Sequence, residues 1–338
     1  MQAALDGQQC LKISTFLHVA YILYFFQVNQ FGNKSNLVFW YVDVELDLML
    51  LHVRFHTVRL MFIVVALLVL AGRPAASAPL YDVKKIDDRT YAAIADPDGA
   101  ASSNAVILVT QTCVVLAGAH FTSDAVAELT RAIAGITPLP LRYTILTHHH
   151  RGYNHVDFDF PPTIEIITST QTLKVLRSER RELKNLSFSF DKGMALHMGK
   201  QTILLNSMEA GHTDGDVVVY LPDQAVLFTS DLFFNEEAGF MANGHAREWV
   251  SNLTQLEHLV ATRVVPGRGG VTDSAGLRRF RSFFQEFLTE VLAHVDRGES
   301  AAETVRSFSL PSGHAPPNFS RYQTENIEWA WRELNRPQ

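Results

Sequence analysis

From Pro79 onward, short apolar runs alternate with longer stretches in which apolar residues recur at helical spacing. Short apolar or β-branched runs are typical of strands, whereas apolar residues three or four positions apart are typical of amphipathic helices. The predicted strands cover residues 90–94, 105–110, 113–117, 141–146, 164–168, 201–206, 216–221, 225–229 and 263–266. The predicted helices cover residues 123–133, 171–184, 247–260, 274–297 and 322–334. This alternation predicts an α/β domain built as one unit.

Residues 58–78 carry the three parts of a secretory signal peptide, although they lie inside the chain. Arg59 precedes an apolar run over residues 60–71, and Ala76-Ser77-Ala78 supplies a small-x-small cleavage signal. The apolar run is shorter than the roughly 20 residues that cross a bilayer. We therefore expect the mature chain to be exported, either to the periplasm or out of the cell.

Residues 1–57 show no clear domain pattern, although the apolar stretch 13–28 is a candidate to lie in or across a membrane. We favour a non-native extension, with translation starting near Val58, over a genuine membrane anchor. The predicted organisation is an extension over 1–57, a signal peptide over 58–78, the α/β domain over 79–310 and a helical tail over 311–338. We expect the tail to pack on the domain, and any membrane contact to involve the N-terminal segment alone.

Composition narrows the classes of partner. The 338 residues are 47% apolar and 19% charged, with a formal net charge of -6. This mild acidity, without a run of Lys or Arg, argues against nucleic acid as a partner. The chain has two cysteines, Cys10 and Cys113, and neither belongs to a C-x-x-C pair, which excludes a disulfide framework or a cysteine-rich zinc site. The single cysteine of the mature chain suits an oxidising compartment.

The segment THHHRGYNH, residues 147–155, places histidines directly after a predicted strand. His148 and His150 are separated by one residue, so on an extended segment their side chains point the same way. His212 and Asp231 follow other predicted strands, and strand ends converge at one edge of a layered α/β protein. Three histidines with an open fourth position form the usual arrangement of a catalytic zinc.

Three segments of the chain resemble successive motifs of the metallo-β-lactamase superfamily. These segments are THHHRGYNH, EAGHTDGDVVVYLPDQAVLFTSDLFF and VVPGRGGVTD, and they occur in the family's order. The resemblance runs from about Ile86 to Arg297. The resemblance implies an αββα sandwich, in which two mixed sheets lie face to face with helices outside and a zinc site at one edge.

The resemblance also implies a ligand set, and this chain departs from it. The family motif H-x-H-x-D-H matches His148 and His150, but Gly152 and Tyr153 stand where the Asp and His of a second zinc site are expected. The next zinc histidine falls on His212 and the bridging aspartate on Asp231. The last ligand, the His of a P-G-H-G turn, falls on Arg268.

The changed positions would all serve the same ion, so we expect one zinc held by His148, His150 and His212, with Asp231 beside it. Arg268 is expected to pair with Asp231 in place of the second cation. In this hypothesis the protein hydrolyses a small ester, amide or thioester-type substrate, and Asp231, Arg268 and Tyr153 are the catalytic candidates. The alternative is an inactive exported binding protein that uses Arg268 to capture an anionic small molecule.

Neighbouring polar residues have simpler interpretations. His149 is expected to point away from the ligands, and His155 is interpreted as structural. His245 is interpreted as a surface histidine, although it is also a candidate to line the mouth of the site. Thr213, Asp214 and Asp216 are expected to orient the loop and the His212 imidazole, rather than to bind metal. Phe233 and Phe234 are expected to pack in the core.

Overall fold

The computed structural model describes residues 52–53, 56–61, 63, 78–97, 99, 101–150, 160–181, 183–208, 210–237, 239–313 and 315–336. The chain divides into a unit of Met1–Ala76 and a unit of Ser77–Gln338. In the first unit the described residues are helical. Of the helices described, none has the length and apolar character that a membrane span requires. The apolar stretch 13–28, most of the predicted signal peptide, and Gly152, Tyr153 and His155 lie outside the described residues.

The second unit contains two β-sheets. The strands are β1 (Tyr81–Lys85), β2 (Thr90–Ala95), β3 (Ala105–Val109), β4 (Val114–Gly118), β5 (Leu141–Leu146), β6 (Glu165–Ser169), β7 (Ser187–Phe190), β8 (Gly193–Met198), β9 (Gln201–Ser207), β10 (Val217–Leu221), β11 (Val226–Phe234) and β12 (Arg263–Arg268). One sheet has seven strands in the order β1-β2-β3-β4-β5-β6-β7, and the other has five in the order β12-β11-β10-β9-β8. Both sheets mix parallel and antiparallel pairs.

Helices cover the outer faces of both sheets. They are α1 (Ser123–Ile136), α2 (Thr170–Ser178), α3 (Ala246–Leu256), α4 (Ser274–Asp296), α5 (Ala301–Ser307) and α6 (Gln323–Leu334), with a short 3₁₀ helix at Phe319–Arg321. One buried cluster joins the two sheets face to face, for example through Val115 and Val219. A second lies between the seven-stranded sheet and α1, and a third between the five-stranded sheet and α3, α4 and α6. These layers are the predicted αββα sandwich.

The structure adds elements that the apolar pattern did not indicate, namely β1, β7, β8 and α5. Strands β7 and β8 are half exposed, so they carry few apolar residues to mark them. The helix predicted over 171–184 ends at Ser178, and Arg180 adopts a left-handed backbone with φ 57° that stops its continuation. Strand β11 continues past Thr229 to Phe234, where Phe234 pairs with Arg268 of β12, and every one of its residues is buried. Phe233 and Phe234 pack in the core, as predicted.

Buried hydrogen bonds join the two sheets at one edge. The Val217 amide, which opens β10, donates to the Thr147 carbonyl at 2.8 Å, just after β5. The Thr147 and Ser230 hydroxyls lie 2.8 Å apart. The Asn104 amide donates to the Gly267 carbonyl at 2.7 Å. Since strand β4 is parallel to β5, their carboxyl ends reach this same edge.

The α3 residue Trp249 offers a test of the helical layer. It is fully buried, its indole N–H donates to the Leu232 carbonyl at 2.8 Å, and its ring packs against Phe284. We expect Trp249→Ala to lower the free energy of unfolding by about 3–5 kcal/mol, because it leaves a cavity and an unpaired carbonyl. Chemical denaturation measures this change.

The control is Val260→Ala, since Val260 is 77% exposed. We expect that variant to stay within about 0.5 kcal/mol of the parent. Equal effects of the two substitutions would contradict the described packing of α3.

Candidate metal centre

Four imidazoles converge at the edge where the sheets are joined. His120 follows β4, His148 and His150 follow β5, and His212 lies in the loop between β9 and β10. His120, His148 and His212 are buried, and His150 is half-buried. Three separate loops therefore supply the rings, and each loop begins at the end of a strand whose position the core determines.

The imidazole nitrogens are spaced as ligands of one ion would be. His150 Nδ1 lies 2.9 Å from His212 Nε2, and His120 Nε2 lies 3.1 Å from His148 Nε2. Zinc binds imidazole nitrogen at about 2.0–2.1 Å, so tetrahedral donors are about 3.3 Å apart. Within each of two sets, His120 with His148 and His150, and His148 with His212 and Asp231, the candidate donor atoms lie within 4.8 Å of one another.

The carboxylate of Asp231 lies against this cluster. Its Oδ2 is 3.5 Å from His120 Nε2, 3.8 Å from His212 Nε2 and 3.9 Å from His148 Nε2. The Ser103 hydroxyl donates to the other oxygen, Oδ1, at 2.6 Å. Asp231 is therefore held from one side while its free oxygen faces the imidazoles.

Two backbone features place Asp231 in β11. Ser230 has a positive φ of 49°, and the pairing of β11 with β12 shifts register on both sides of it, which turns the strand at this point. Gly267 of β12 passes so close that a Cβ there would overlap Asp231 Oδ1. Only glycine fits at position 267 without displacing the carboxylate, so packing explains the glycine of the Pro-Gly-Arg sequence.

Burial dominates the electrostatics of the site. It lowers the pKa of His120, His148, His150 and His212 well below the ordinary value of 6.5, and the neighbouring imidazoles lower it further. Burial also raises the pKa of Asp231 to about 6, while Arg268 and the Ser103 hydrogen bond oppose that rise. The four imidazoles are therefore neutral at pH 7, which is the state that binds metal.

The loop around His212 is held by its own polar residues. The Asp216 carboxylate accepts hydrogen bonds from the Thr213 amide at 3.0 Å and the Thr213 hydroxyl at 2.6 Å. Burial raises the pKa of Asp216 to about 7. Asp214 lies 2.6 Å from His245 Nε2, so these two partly exposed residues form a pair on the surface beside the site. These contacts hold the loop, as predicted, whereas Nδ1 of the His212 imidazole has no hydrogen-bond partner among the described residues.

Two further contacts position the histidine segment. The Asn243 amide group lies 3.1 Å from His150 Nε2, the ring nitrogen opposite the one that faces His212. The Arg181 guanidinium donates to the His149 carbonyl at 2.6 Å. The His149 ring lines a surface cavity with His245, whereas the His148 ring lies in the metal cluster.

The structure brings together His148, His150, His212 and Asp231, and their role as metal ligands stays a prediction. Arg268 ends β12, and its charge lowers the pKa of both Asp231 and His120. A direct pair between Arg268 and Asp231 stays a prediction, as do the roles of Tyr153 and Gly152, which lie outside the described residues.

Sequence reasoning missed His120. The signal was available, because His120 follows the predicted strand 113–117 just as His148 follows 141–146. The histidine-rich segment 147–155 and the family motifs do not include residue 120, so neither indicates it.

The residues present fit a zinc ion. Neutral imidazole nitrogen is a ligand that zinc favours, a carboxylate lies beside it, and the donor spacing agrees with tetrahedral binding. Among the described residues, Nδ1 of His120 and Nδ1 of His212 have no hydrogen-bond partner. In both rings it is Nε2, the opposite nitrogen, that faces Asp231 Oδ2.

Comparison with known proteins agrees with this geometry. Residues 196–268 match the sequence profile of the metallo-beta-lactamase superfamily. The fold is similar to a metallo-beta-lactamase from Pontibacter korlensis, with 22% identity, a TM-score of 0.53, and coverage of 61% of this chain and 99% of that one. It is also similar to the DIM-1 metallo-beta-lactamase, with 20% identity, a TM-score of 0.51, and coverage of 61% and 98%. Comparison with curated protein sequences gave no significant match.

The domain therefore has the metallo-beta-lactamase fold. The predicted resemblance to that superfamily is confirmed, by the profile over residues 196–268 and by the fold of the two sheets. The superfamily is typically zinc-binding, and the cluster of histidines and Asp231 lies where such an ion can be held. The arrangement is consistent with a metal-dependent hydrolase.

The neutral imidazoles give the metal-free protein a defined pH dependence. An unfolded chain protonates histidine near pH 6.5, whereas the folded chain holds these four pKa values well below that. Each imidazole then lowers the free energy of unfolding by up to about 1.4 kcal/mol for each pH unit below 6.5. Asp231 and Asp216 act in the opposite direction, because their raised pKa values let the folded chain bind protons first.

With four imidazoles against two carboxylates, we expect the free energy of unfolding to fall as the pH drops from 7 to 5. Denaturant titrations in excess chelator at several pH values measure the slope. His148→Phe should make the slope shallower, and His258→Gln, a change at an exposed residue, should leave it as it is. A metal-free protein that gains stability on acidification would contradict the neutral, buried cluster.

Proposed function

We propose that this chain is a zinc-dependent hydrolase that holds one zinc ion on His148, His150 and His212. The substrate class is a small ester, amide or thioester. The observation that carries this proposal is the convergence of three neutral imidazoles beside a buried carboxylate, in a metallo-beta-lactamase fold. When bound, zinc supplies a Lewis acid and lowers the pKa of a coordinated water toward about 7.

Asp231 is the proposed proton acceptor. Its Oδ2 faces the imidazoles at 3.5–3.9 Å, so a carboxylate oxygen lies within reach of a water held among them. Ser103 anchors Oδ1, which leaves Oδ2 to act on the imidazole side. The hydrogen bond from Ser103 therefore orients the base and also keeps its pKa from rising further.

Arg268 is the proposed electrostatic stabiliser. Its charge reaches both Asp231 and His120, so it also favours a negative charge that develops on a substrate at this point. Tyr153 is proposed to add a hydroxyl to the same side. Gly152, Tyr153 and Arg268 offer no imidazole or carboxylate where the family places the ligands of its second ion, which supports a single zinc.

A surface cavity beside the histidine segment supports a small-molecule substrate. It has a volume of about 380 Å³, within the range of small-ligand sites, and its lining includes His149, Asn243, His245, Arg332 and Arg336. Asn243 contacts His150, so the cavity adjoins the metal cluster.

The proposed setting is outside the cytoplasm, because residues 58–78 carry the parts of a signal peptide. The alternative of a binding protein without catalysis has no observation among the described residues in its favour. The exclusion of a nucleic-acid partner stays a prediction from the sequence, which has no run of Lys or Arg.

Elemental analysis and hydrolysis assays test the zinc. We expect about one zinc per purified chain, and hydrolysis of generic ester, thioester or lactam substrates that chelator abolishes and added zinc restores. His212→Ala should lose both the zinc and the activity, whereas His258→Gln should keep both. A metal-free chain, or activity that is insensitive to chelator, would contradict the proposal.

A triple substitution tests the loss of the second ion. Gly152→Asp, Tyr153→His and Arg268→His together restore the ligand pattern that the resemblance implies. We expect this variant to bind about two zinc ions per chain, because the restored carboxylate and imidazoles add a second set of donors. Competition with a chromogenic chelator counts the ions. If the triple variant still binds one zinc, the interpretation of Gly152, Tyr153 and Arg268 as a converted second site is wrong.

A further inference from the structure

We propose that His120 is a fourth imidazole ligand of the ion held by His148, His150 and His212. This residue corresponds to no position of the three motifs that carry the family resemblance. The inference rests on the metal-binding part of the proposed function and does not depend on hydrolysis.

The distances group His120 with His148 and His150, and His148 is shared with the set that contains His212 and Asp231. Its Nε2 lies 3.1 Å from His148 Nε2, close to the spacing of about 3.3 Å expected for two donors of one tetrahedral zinc. The pair formed by His150 Nδ1 and His212 Nε2 has a similar spacing of 2.9 Å. His120 with His148 and His150 also forms one set of donors that lie within 4.8 Å of one another.

The backbone of His120 is held in an uncommon conformation. Its φ is 55°, in the left-handed region that residues with a side chain rarely adopt. Non-glycine residues in this region persist where the surrounding structure requires them, and they cluster at ligand sites. Here the turn follows β4 directly and brings the ring against His148 and Asp231.

The surroundings of the ring suit a ligand better than a packing residue. His120 is 9% exposed, and its Nδ1 has no hydrogen-bond partner among the described residues. The nitrogen that faces other groups is Nε2, and those groups are two potential ligands, His148 and Asp231. His148 Nε2 approaches the same carboxylate oxygen at 3.9 Å, so both rings and the carboxylate face one point.

A fourth imidazole changes the expected chemistry of the ion. Four nitrogen donors favour zinc and other borderline metals over magnesium or manganese. They also occupy the position that three histidines leave open, so a water or substrate must enter as a fifth ligand or displace His120. His120 would thereby set both the affinity for the metal and the access of substrate to it.

The experiment compares His120→Gly and His120→Asn with the parent protein. Both replacements tolerate a left-handed backbone, so the fold is expected to persist, and circular dichroism in chelator checks it. Zinc affinity, measured by competition with a chromogenic chelator, should fall about tenfold or more, in line with the loss of a metal-site residue. The visible spectrum of the cobalt-loaded protein should also change, because its band intensities depend on the number of donors.

Rescue distinguishes a ligand from a structural residue. In His120→Gly the lost side chain leaves space for free imidazole, which should restore the cobalt spectrum and part of the affinity. The control His258→Gln changes an exposed histidine and should leave both unchanged.

Unchanged affinity and cobalt spectrum in folded His120 variants would overturn this inference and leave the zinc hydrolase proposal intact. A parent protein that binds no metal would overturn both. A parent with two ions, one of which is lost on His120 substitution, would overturn the placement of His120 on the shared ion.

Discussion

The site depends on one buried carboxylate, Asp231, at the seam between the two sheets. Burial raises the pKa of Asp231 to about 6, because the buried site solvates a negative charge less well than water does. A buried carboxylate is stable when hydrogen bonds and nearby positive charge compensate it. Ser103 supplies the hydrogen bond, Arg268 supplies positive charge, and the surrounding imidazoles leave room for a cation among their nitrogens.

The fold makes this arrangement possible. Parallel strands β4 and β5 end at the same edge of the seven-stranded sheet, and His120 and His148 lie in the loops that follow them. The five-stranded sheet brings Asp231 and Gly267 to that edge from the other side. Hydrogen bonds such as that between Thr147 and Ser230 hold the two edges together, so the ligand geometry follows from how the sheets pack. A glycine at 267 is needed because the chain passes directly over the carboxylate.

The sequence predicted the sandwich and much of the site, for physical reasons. Buried strands such as 141–146 are marked by continuous apolar residues, and the histidines that follow them are distinctive in type and spacing. Strands β7 and β8 were not predicted, because a half-exposed hairpin carries no strong apolar pattern. The contacts of Ser103 and Asn104 were also out of reach, since they join residues more than a hundred positions apart and depend on how the sheets meet.

His120 shows where reasoning from motifs falls short. It is a lone histidine between apolar residues, and its place after the predicted strand 113–117 is the one sign in the sequence that separates it from a core residue. Its significance depends on β4 lying next to β5 and on a left-handed turn, which are both properties of the folded chain.

The central claim is that imidazoles gather around a single metal ion at this seam. X-ray absorption spectroscopy of the zinc-loaded protein tests it most directly, because it reports the donor atoms and any neighbouring metal. The account predicts a shell of nitrogen and oxygen with strong imidazole scattering and no metal–metal vector. A second metal atom at about 3.5–4 Å, the separation found in two-metal sites, or a shell with little imidazole would contradict it.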